Sequence, residues 1–463
     1  MENLFKKIKL GRYREEEVNL PISAFEAFKR IYPSVKNIFL LESLGEEGAY
    51  NRYSYVGFDP LFTISAKGQE ILINNRVEEV ENPYTLLSQL VRLKGKGDGF
   101  CGGLVGFFSY EVCKYFENAF AGHTNREFSD FCFGFYADGL KFDKKTKKCT
   151  YFHHGQSRLK KIYSLLHNTG GIGEFSFRKL RAGKSEKDHE AMVLKALGHI
   201  KRGDIFQVVL SLKSYFHLKG DTRRIYAILR QINPSPYMMY MKFGEKEIIS
   251  ASPELLVRVK GREIEHFGTL AGTIRRGRDL KEDEKLANKL YGDGKEMAEH
   301  MMLVDLARND VGRICEFGSV RVEKLASIKK FSHVQHIFSE IHGTLNKRVN
   351  SFSAMASCFP AGTLTGAPKV EAMKIISHLE GEARGPYGGV GGYFSLNGES
   401  MMAILIRSLF INDKSAYTQT GSGIVSDSVP DKEYKEIINK QKAMEEALRL
   451  AAEIKNQKSK IKN

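Results

Sequence analysis

The sequence predicts an α+β fold built on large antiparallel sheets, and three observations predict it. Tyr393 to Leu396 turns at Asn397-Gly398 into the apolar run Met401 to Phe410; Asn-Gly supplies the positive φ angles that a tight hairpin needs. Asn412-Asp413 then turns that run into Ala416 to Thr420. Helical patterns interrupt these strand pairs but do not alternate with single strands, so a doubly wound parallel sheet does not fit.

The remaining elements follow in chain order. Ala24 to Ile31 reads as a short helix and Asn37 to Leu41 as a strand. Asn51 to Val56 alternates polar and aromatic residues, and Gly102 to Tyr110 is another strand-like run. The polar stretch Asn168 to Gly173 and the basic stretch Arg178 to Lys184 mark a boundary. It divides the chain into residues 1–175, residues 185–450 and a basic tail, 451–463. Next, Ser185 and Asp188 form a capping box, Leu194, Leu197 and Ile200 recur at helical spacing, and Gly203 stops the helix. Ile205 to Leu212 reads as a buried strand and Lys432 to Lys455 as an amphipathic helix. No internal repeat is visible.

Composition narrows the class. The 463 residues include 30 Phe and 20 Tyr, which argues for a sizeable core and against disorder. No apolar run approaches the roughly 18 to 20 residues needed to span a bilayer. Met1 to Leu10 has neither a sustained apolar region nor a cleavage motif, so no signal peptide is expected. The six cysteines are scattered and form no Cys-x-x-Cys pair, which fits a reducing cytoplasm without zinc or disulfides. The net charge of +16 is spread along the chain. It reads as a solvated surface that draws in small anions; neither a nucleic-acid nor a membrane partner is expected.

Two pairs of carboxylates carry the first chemical signal. Glu296 and Glu299 are three residues apart at the start of a helix, and Glu433 and Glu436 repeat that spacing. Such pairs are common on solvated helix faces, but two of them on separate helices could hold a hard cation such as magnesium. Arg407 lies within Met401 to Phe410, where both faces are apolar. A guanidinium in a central strand needs an anionic partner, either a bound carboxylate or an internal Asp or Glu. Three glycine-rich stretches accompany these groups: Gly362 to Lys369, Gly385 to Gly392, and Gly421 to Gly423. Pro368 suits the first turn of a helix, whose free N–H groups could face an anion. His333, His336 and Glu254 are candidate acids or bases, with a satisfied core histidine as the plainer reading.

In order along the chain stand Gly203-Asp-Ile-Phe-Gln-Val-Val-Leu-Ser211, Ser252-Pro-Glu254, Leu270-Ala-Gly-Thr273 and Ala298-Glu-His to Asp310. His333 to His336, Ala361 to Lys369, Arg384 to Gly389, Gly421 to Val425 and Asp427-Ser428 complete the series. Together they resemble the chorismate-utilising enzymes, and among these the anthranilate synthase component I family. The likeness covers about residues 185 to 445. It is weaker before that, where Leu40 to Ser43 and Arg52-Tyr-Ser54 are family-like.

The resemblance implies a sandwich of antiparallel sheets with helices outside. It implies a magnesium-dependent lyase that converts chorismate and ammonia to anthranilate and pyruvate, at the first committed step of tryptophan biosynthesis. Glu299 and Glu436 would be the magnesium ligands, with Glu296 and Glu433 as acidic neighbours. Arg407 and Tyr387 would hold the enolpyruvyl carboxylate, and Gly272, Thr273, Gly421, Ser422 and Gly423 would line the same pocket. Glu254 would assist departure of the C4 hydroxyl, and His336 and Thr363 fall at catalytic positions. Lys440 would touch a carboxylate. Ammonia would attack C2 as that hydroxyl leaves, and pyruvate elimination would then make the ring aromatic.

Two positions separate family members. Gln207 stands where enzymes that add water carry Lys, and a Gln cannot act as base toward water. Ala271 stands where aminodeoxychorismate synthases typically carry Lys. Ser43, Pro236, Tyr237 and Met238 resemble a tryptophan feedback site, in a chain that contains no Trp. No cysteine sits in a glutaminase setting, so a separate glutamine amidotransferase subunit is expected as partner. The alternatives are aminodeoxychorismate synthase component I and a non-catalytic chorismate- or tryptophan-sensing subunit.

Overall fold

The computed structural model describes residues 10–19, 21–44, 52–74, 76–89, 96–267, 269–330 and 334–453. It contains two 12-stranded sheets with antiparallel pairings. They stack face to face, and their inner faces share one core. Phe39 and Tyr55 of the first sheet meet Phe107 and Tyr393 of the second there. The rings of Tyr55 and Tyr393 cross edge-on at 6.0 Å, an arrangement the aromatic quadrupoles favour.

Helices cover the outer faces. Ala24–Ile31, Arg223–Ile232 and Pro430–Glu453 bury Phe28, Ile225 and Leu448 against Leu40, Ile249 and Leu409 of the first sheet. Across the second sheet lies Gly294–Gly312, which is tied to strand Val334–Thr344 by a 2.7 Å hydrogen bond between His300 Nε2 and Ser339 Oγ. No helix among the described residues is long and apolar enough to cross a membrane.

Local signals act where expected. Ser185 and Asp188 form both bonds of the capping box, and Gly203 ends that helix at φ 82°. Gly398 turns its hairpin at φ 88°, joining Val390–Ser395 to Ser400–Ile404. The stretch expected as a boundary carries strand Phe175–Ala182, which pairs with Gln207–Gly220. Strands from both sides of it build both sheets: Asn37–Glu42 pairs with Tyr237–Phe243, and Gly103–Phe108 with Val390–Ser395.

Two expectations are corrected. Met401 to Phe410 is not a single central strand. Ser400–Ile404 belongs to the second sheet and Ser408–Asn412 to the first. The chain crosses between sheets at Leu405 to Arg407, and Arg407 takes a left-handed φ of 51°. A crossover buried between two sheets is apolar on all sides, so it reads like a strand buried on both faces. Pro368 also stands one position earlier than expected, at the N-cap of Lys369–Glu380.

A buried network fixes the loops beside these crossings. Arg384 makes paired hydrogen bonds to Glu380, at 2.9 and 2.7 Å. It also donates to the carbonyls of Leu364 and Val209. Glu380 Oε1 in turn accepts from the backbone N–H and hydroxyl of Ser211. Both ionic side chains are at most 2% exposed. Removing one partner leaves the other as an uncompensated charge. Arg384→Ala is therefore expected to lower the unfolding free energy by about 3–5 kcal/mol. Urea unfolding measures this, and a loss below about 1 kcal/mol, the range of an exposed pair, would contradict it.

Candidate active site

The site is built where the two sheets exchange strands. Glu254 stands at the crossing from Lys246–Ser252, in the first sheet, to Leu255–Lys260, in the second. Arg407 stands at the return crossing. The two crossings are stitched together, because Ile404 N–H donates to Glu254 O at 3.0 Å and Ala251 N–H to Arg407 O at 3.2 Å. Glu254 is 4% exposed and accepts a 3.0 Å hydrogen bond from Thr363 Oγ1. Burial pushes its carboxyl up to about 8, against the opposing pull of the Thr363 hydroxyl and the Arg407 charge. Glu254 thus holds a proton at neutral pH. Burial lowers the proton affinity of Arg407, and the Glu254 carboxylate acts against that. The Arg407 side chain makes no hydrogen bond or ion pair among the described residues, and Glu254 is the carboxyl that acts on its charge.

His336 lies on strand Val334–Thr344, and its Nδ1 donates to Gly272 O at 2.8 Å. Burial pushes the imidazole down to about 4, opposed by the bond to Gly272 and reinforced by the charges of Arg407 and Lys440. The ring is neutral at pH 7, so Nε2 is its basic nitrogen. His333 lies outside the described residues. Gly272, with Thr273 after it, belongs to strand Ala271–Arg275.

The glycines allow close approach. A Cβ on Gly272 would sit 2.9 Å from Glu296 Oε2, and one on Gly421 would sit 3.0 Å from the Tyr387 hydroxyl and 2.8 Å from Leu210 O. A Cβ on Gly423 would sit 2.8 Å from Gln207 Nε2 and 3.8 Å from Glu299 Oε1. A side chain at Gly272 would press on Glu296, one at Gly421 on Tyr387 and Leu210, and one at Gly423 on Gln207 beside Glu299.

The four glutamates come from two helices, Glu296 and Glu299 from Gly294–Gly312, Glu433 and Glu436 from Pro430–Glu453. Burial raises the proton affinity of Glu299, then the charges of Glu296 and Glu436 add to it, while a hydrogen bond from Gln207 opposes. Burial also raises Glu296, helped by Asp293 and Glu436. The same holds for Glu433, opposed by the hydroxyls of Ser428 and Ser422. Lys440 Nζ bridges Glu436 Oε1 at 2.7 Å and Gly421 O at 3.1 Å. An all-oxygen set of mutually repelling carboxylates suits a hard divalent cation, which would relieve that repulsion. Among the described residues, the tightest acidic and histidine triads are elsewhere: Glu323–Glu340–His342 and Glu186–Glu190–Asp431.

Sequence reasoning missed one partner. Gln207 Nε2 donates to Glu299 Oε1 at 2.9 Å, across 92 positions of chain. The sequence marks Gln207 only as a residue that cannot act as base toward water, and its bond to Glu299 has no local signal. Ser43, Pro236, Tyr237 and Met238 converge separately on a cavity of about 200 Å³ that Arg52, Asp98, Lys260 and Glu399 also line. Another cavity, about 690 Å³, lies beside Asp310 and Lys369 and touches none of the candidate site residues.

The family described as chorismate binding enzyme matches residues 36–446. The chain belongs to the chorismate binding enzyme family. Anthranilate synthase component 1 of Methanothermobacter marburgensis is 43% identical over 455 residues, covering 97% of this chain and 98% of that protein. Anthranilate synthase component 1 of Bacillus subtilis is 37% identical, covering 90% and 88%. Among solved structures, anthranilate synthase component I from Streptococcus pneumoniae superposes with a TM-score of 0.76 at 33% identity, covering 87% of this chain and 94% of that one. The menaquinone-specific isochorismate synthase MenF of Escherichia coli shares the fold, with a TM-score of 0.74 at 19% identity. Two large antiparallel sheets with outer helices are thus the architecture of this chorismate binding enzyme.

Proposed function

We propose that this chain is the chorismate-converting subunit of an anthranilate synthase, making anthranilate and pyruvate from chorismate and ammonia. The observation that carries the reading is Glu254: a buried carboxyl, protonated at neutral pH, beside an uncommitted Arg407. A dianionic substrate that must lose a hydroxyl needs both an anion holder and a proton donor. Arg407 and the Tyr387 hydroxyl hold the enolpyruvyl carboxylate, with the backbone of Gly421 to Gly423, together with Ser422, Gly272 and Thr273, around it. Glu254, oriented by Thr363, gives its proton to the departing C4 hydroxyl. His336, neutral and basic at Nε2, takes up or returns a proton in amination or elimination. Magnesium is the cation read for Glu299 and Glu436, with Glu296 and Glu433 beside them; when bound there it would neutralise the ring carboxylate and act as a Lewis acid. Gln207 favours amination, since it offers water no base.

The ammonia is read as coming from a glutamine amidotransferase subunit, and residues 1–175 as the regulatory part beside a catalytic part at 185–450. The test is a product assay. Purified chain with ammonium and magnesium should release anthranilate and pyruvate, and glutamine should not replace ammonium. A 4-amino product would mean aminodeoxychorismate synthase, and no turnover would leave a sensing subunit.

Feedback by tryptophan is the reading for the cavity at Ser43, Pro236, Tyr237 and Met238. Its charged lining of both signs suits a zwitterion, and Ser43 Oγ is buried without a hydrogen-bond partner among the described residues. Ser43→Phe should fill part of it. The inhibition constant for tryptophan should rise at least about tenfold, equal to roughly 1.4 kcal/mol, with kcat unchanged. Unaltered inhibition would remove this cavity from consideration.

A further inference from the structure

Strand Val334–Thr344 carries His336 near its start. Further along it, Glu340 and His342 alternate onto one face. The neighbouring strand Arg321–Lys330 pairs Arg321 with His342 and Lys324 with Glu340, and its register shifts between Val322 and Lys324. That irregularity carries Glu323 out of alternation and brings its carboxylate against His342. Nε2 of His342 lies 3.5 Å from Glu323 Oε2 and 3.7 Å from Glu340 Oε2. The three ligand atoms all lie within 4.8 Å of one another.

Three features separate this cluster from an ordinary ion pair. The His342 side chain is only 6% exposed, and its Nε2 has no hydrogen-bond partner among the described residues. The imidazole is set between the two carboxylates. Each carboxylate is also oriented from behind. Lys324 Nζ donates to Glu340 Oε1 at 2.9 Å, and Arg321 Nε to Glu323 Oε1 at 3.0 Å. Both Oε2 atoms are thereby left on the imidazole side, the way outer groups orient metal ligands. Finally, a tetrahedral ion with bonds of about 2.0–2.1 Å holds its donors about 3.3 Å apart. The two imidazole–carboxylate separations need to close by only a few tenths of an ångström, and the carboxylate pair lies within 4.8 Å.

We infer that Glu323, Glu340 and His342 form a second metal site, one that takes a borderline divalent cation of the zinc class. One imidazole and two carboxylates make three protein ligands, and the half-exposed Glu323 leaves the fourth position open to water. The imidazole selects against magnesium, which prefers oxygen alone. Such an ion clamps together the two strands, one of which holds His336. This site is independent of the catalytic reading.

The test uses full-length chain stripped with chelator and held in excess magnesium, which fills the all-carboxylate set. Cobalt is the spectroscopic probe and zinc the calorimetric one. One equivalent of each should bind, cobalt with the visible bands of a four-coordinate ion. Glu323→Gln and His342→Ala should each weaken binding more than about tenfold, at least the loss that outer-shell changes cause, and Glu299→Gln should leave it unchanged. Glu323 is 41% exposed, so its variant keeps the test alive if His342→Ala fails to fold. No binding in excess magnesium, binding that survives Glu323→Gln, or binding that Glu299→Gln abolishes would each overturn the assignment.

Discussion

Glu254→Gln is expected to cut kcat by about 10²- to 10⁴-fold, the usual contribution of a positioned general acid. The amide preserves shape and can still accept from Thr363, but it has no proton to give. The pH profile separates this from simple damage. With the Glu254 carboxyl at about 8, the acid form is present below that value and lost above it. Wild-type kcat/KM should therefore fall above about pH 8, and the residual activity of Glu254→Gln should not show that limb. Stability supplies a second readout. Between the ordinary carboxyl value of 4.5 and about 8, the native state keeps a proton that the unfolded state has released. Stability at this residue therefore declines as pH rises through that window. The Gln variant should lack that decline and gain on the wild type toward pH 8. A variant with the wild-type basic limb would assign the proton donor elsewhere.

Glu299→Gln and Glu436→Gln are expected to abolish magnesium-dependent turnover, by on the order of 10³-fold or more, given the several kcal/mol of a Lewis acid. Fold should survive, since Glu436 is 50% exposed and Gln207 can still meet an amide at position 299. Calorimetry should show magnesium affinity lost in both variants, with chorismate binding weakened in parallel. Magnesium binding unchanged in either one would move the metal site off these helices. Gln207→Ala should have a smaller effect of the same kind, because Gln207 positions Glu299 and is not itself a ligand.

Several local features were legible because they sit in runs with strong local character. The capping box at Ser185, the Asn397-Gly398 turn and the Glu296/Glu299 spacing are decided within a few residues of chain, and the structure keeps them. The Arg407 strand was misread for a physical reason. Periodicity reports how many faces are buried, not which sheet buries them, and Met401 to Phe410 is buried in both. The helix stop at Gly203 needed only backbone strain, whereas the fit of Gly423 against Gln207 and Glu299 needed three distant segments to meet.

The sequence by itself therefore determined the fold class, the family and the types of groups available: four glutamates, an arginine, a histidine and the glycines between them. Those follow from local propensity and motif order. Only the tertiary structure decided their states. Burial at a crossing between sheets keeps Glu254 protonated, burial on strand Val334–Thr344 keeps His336 neutral, and contact across 92 positions gives Glu299 its amide partner. Proton affinity depends on the dielectric and charges around a group, and those are set by segments far apart in the chain.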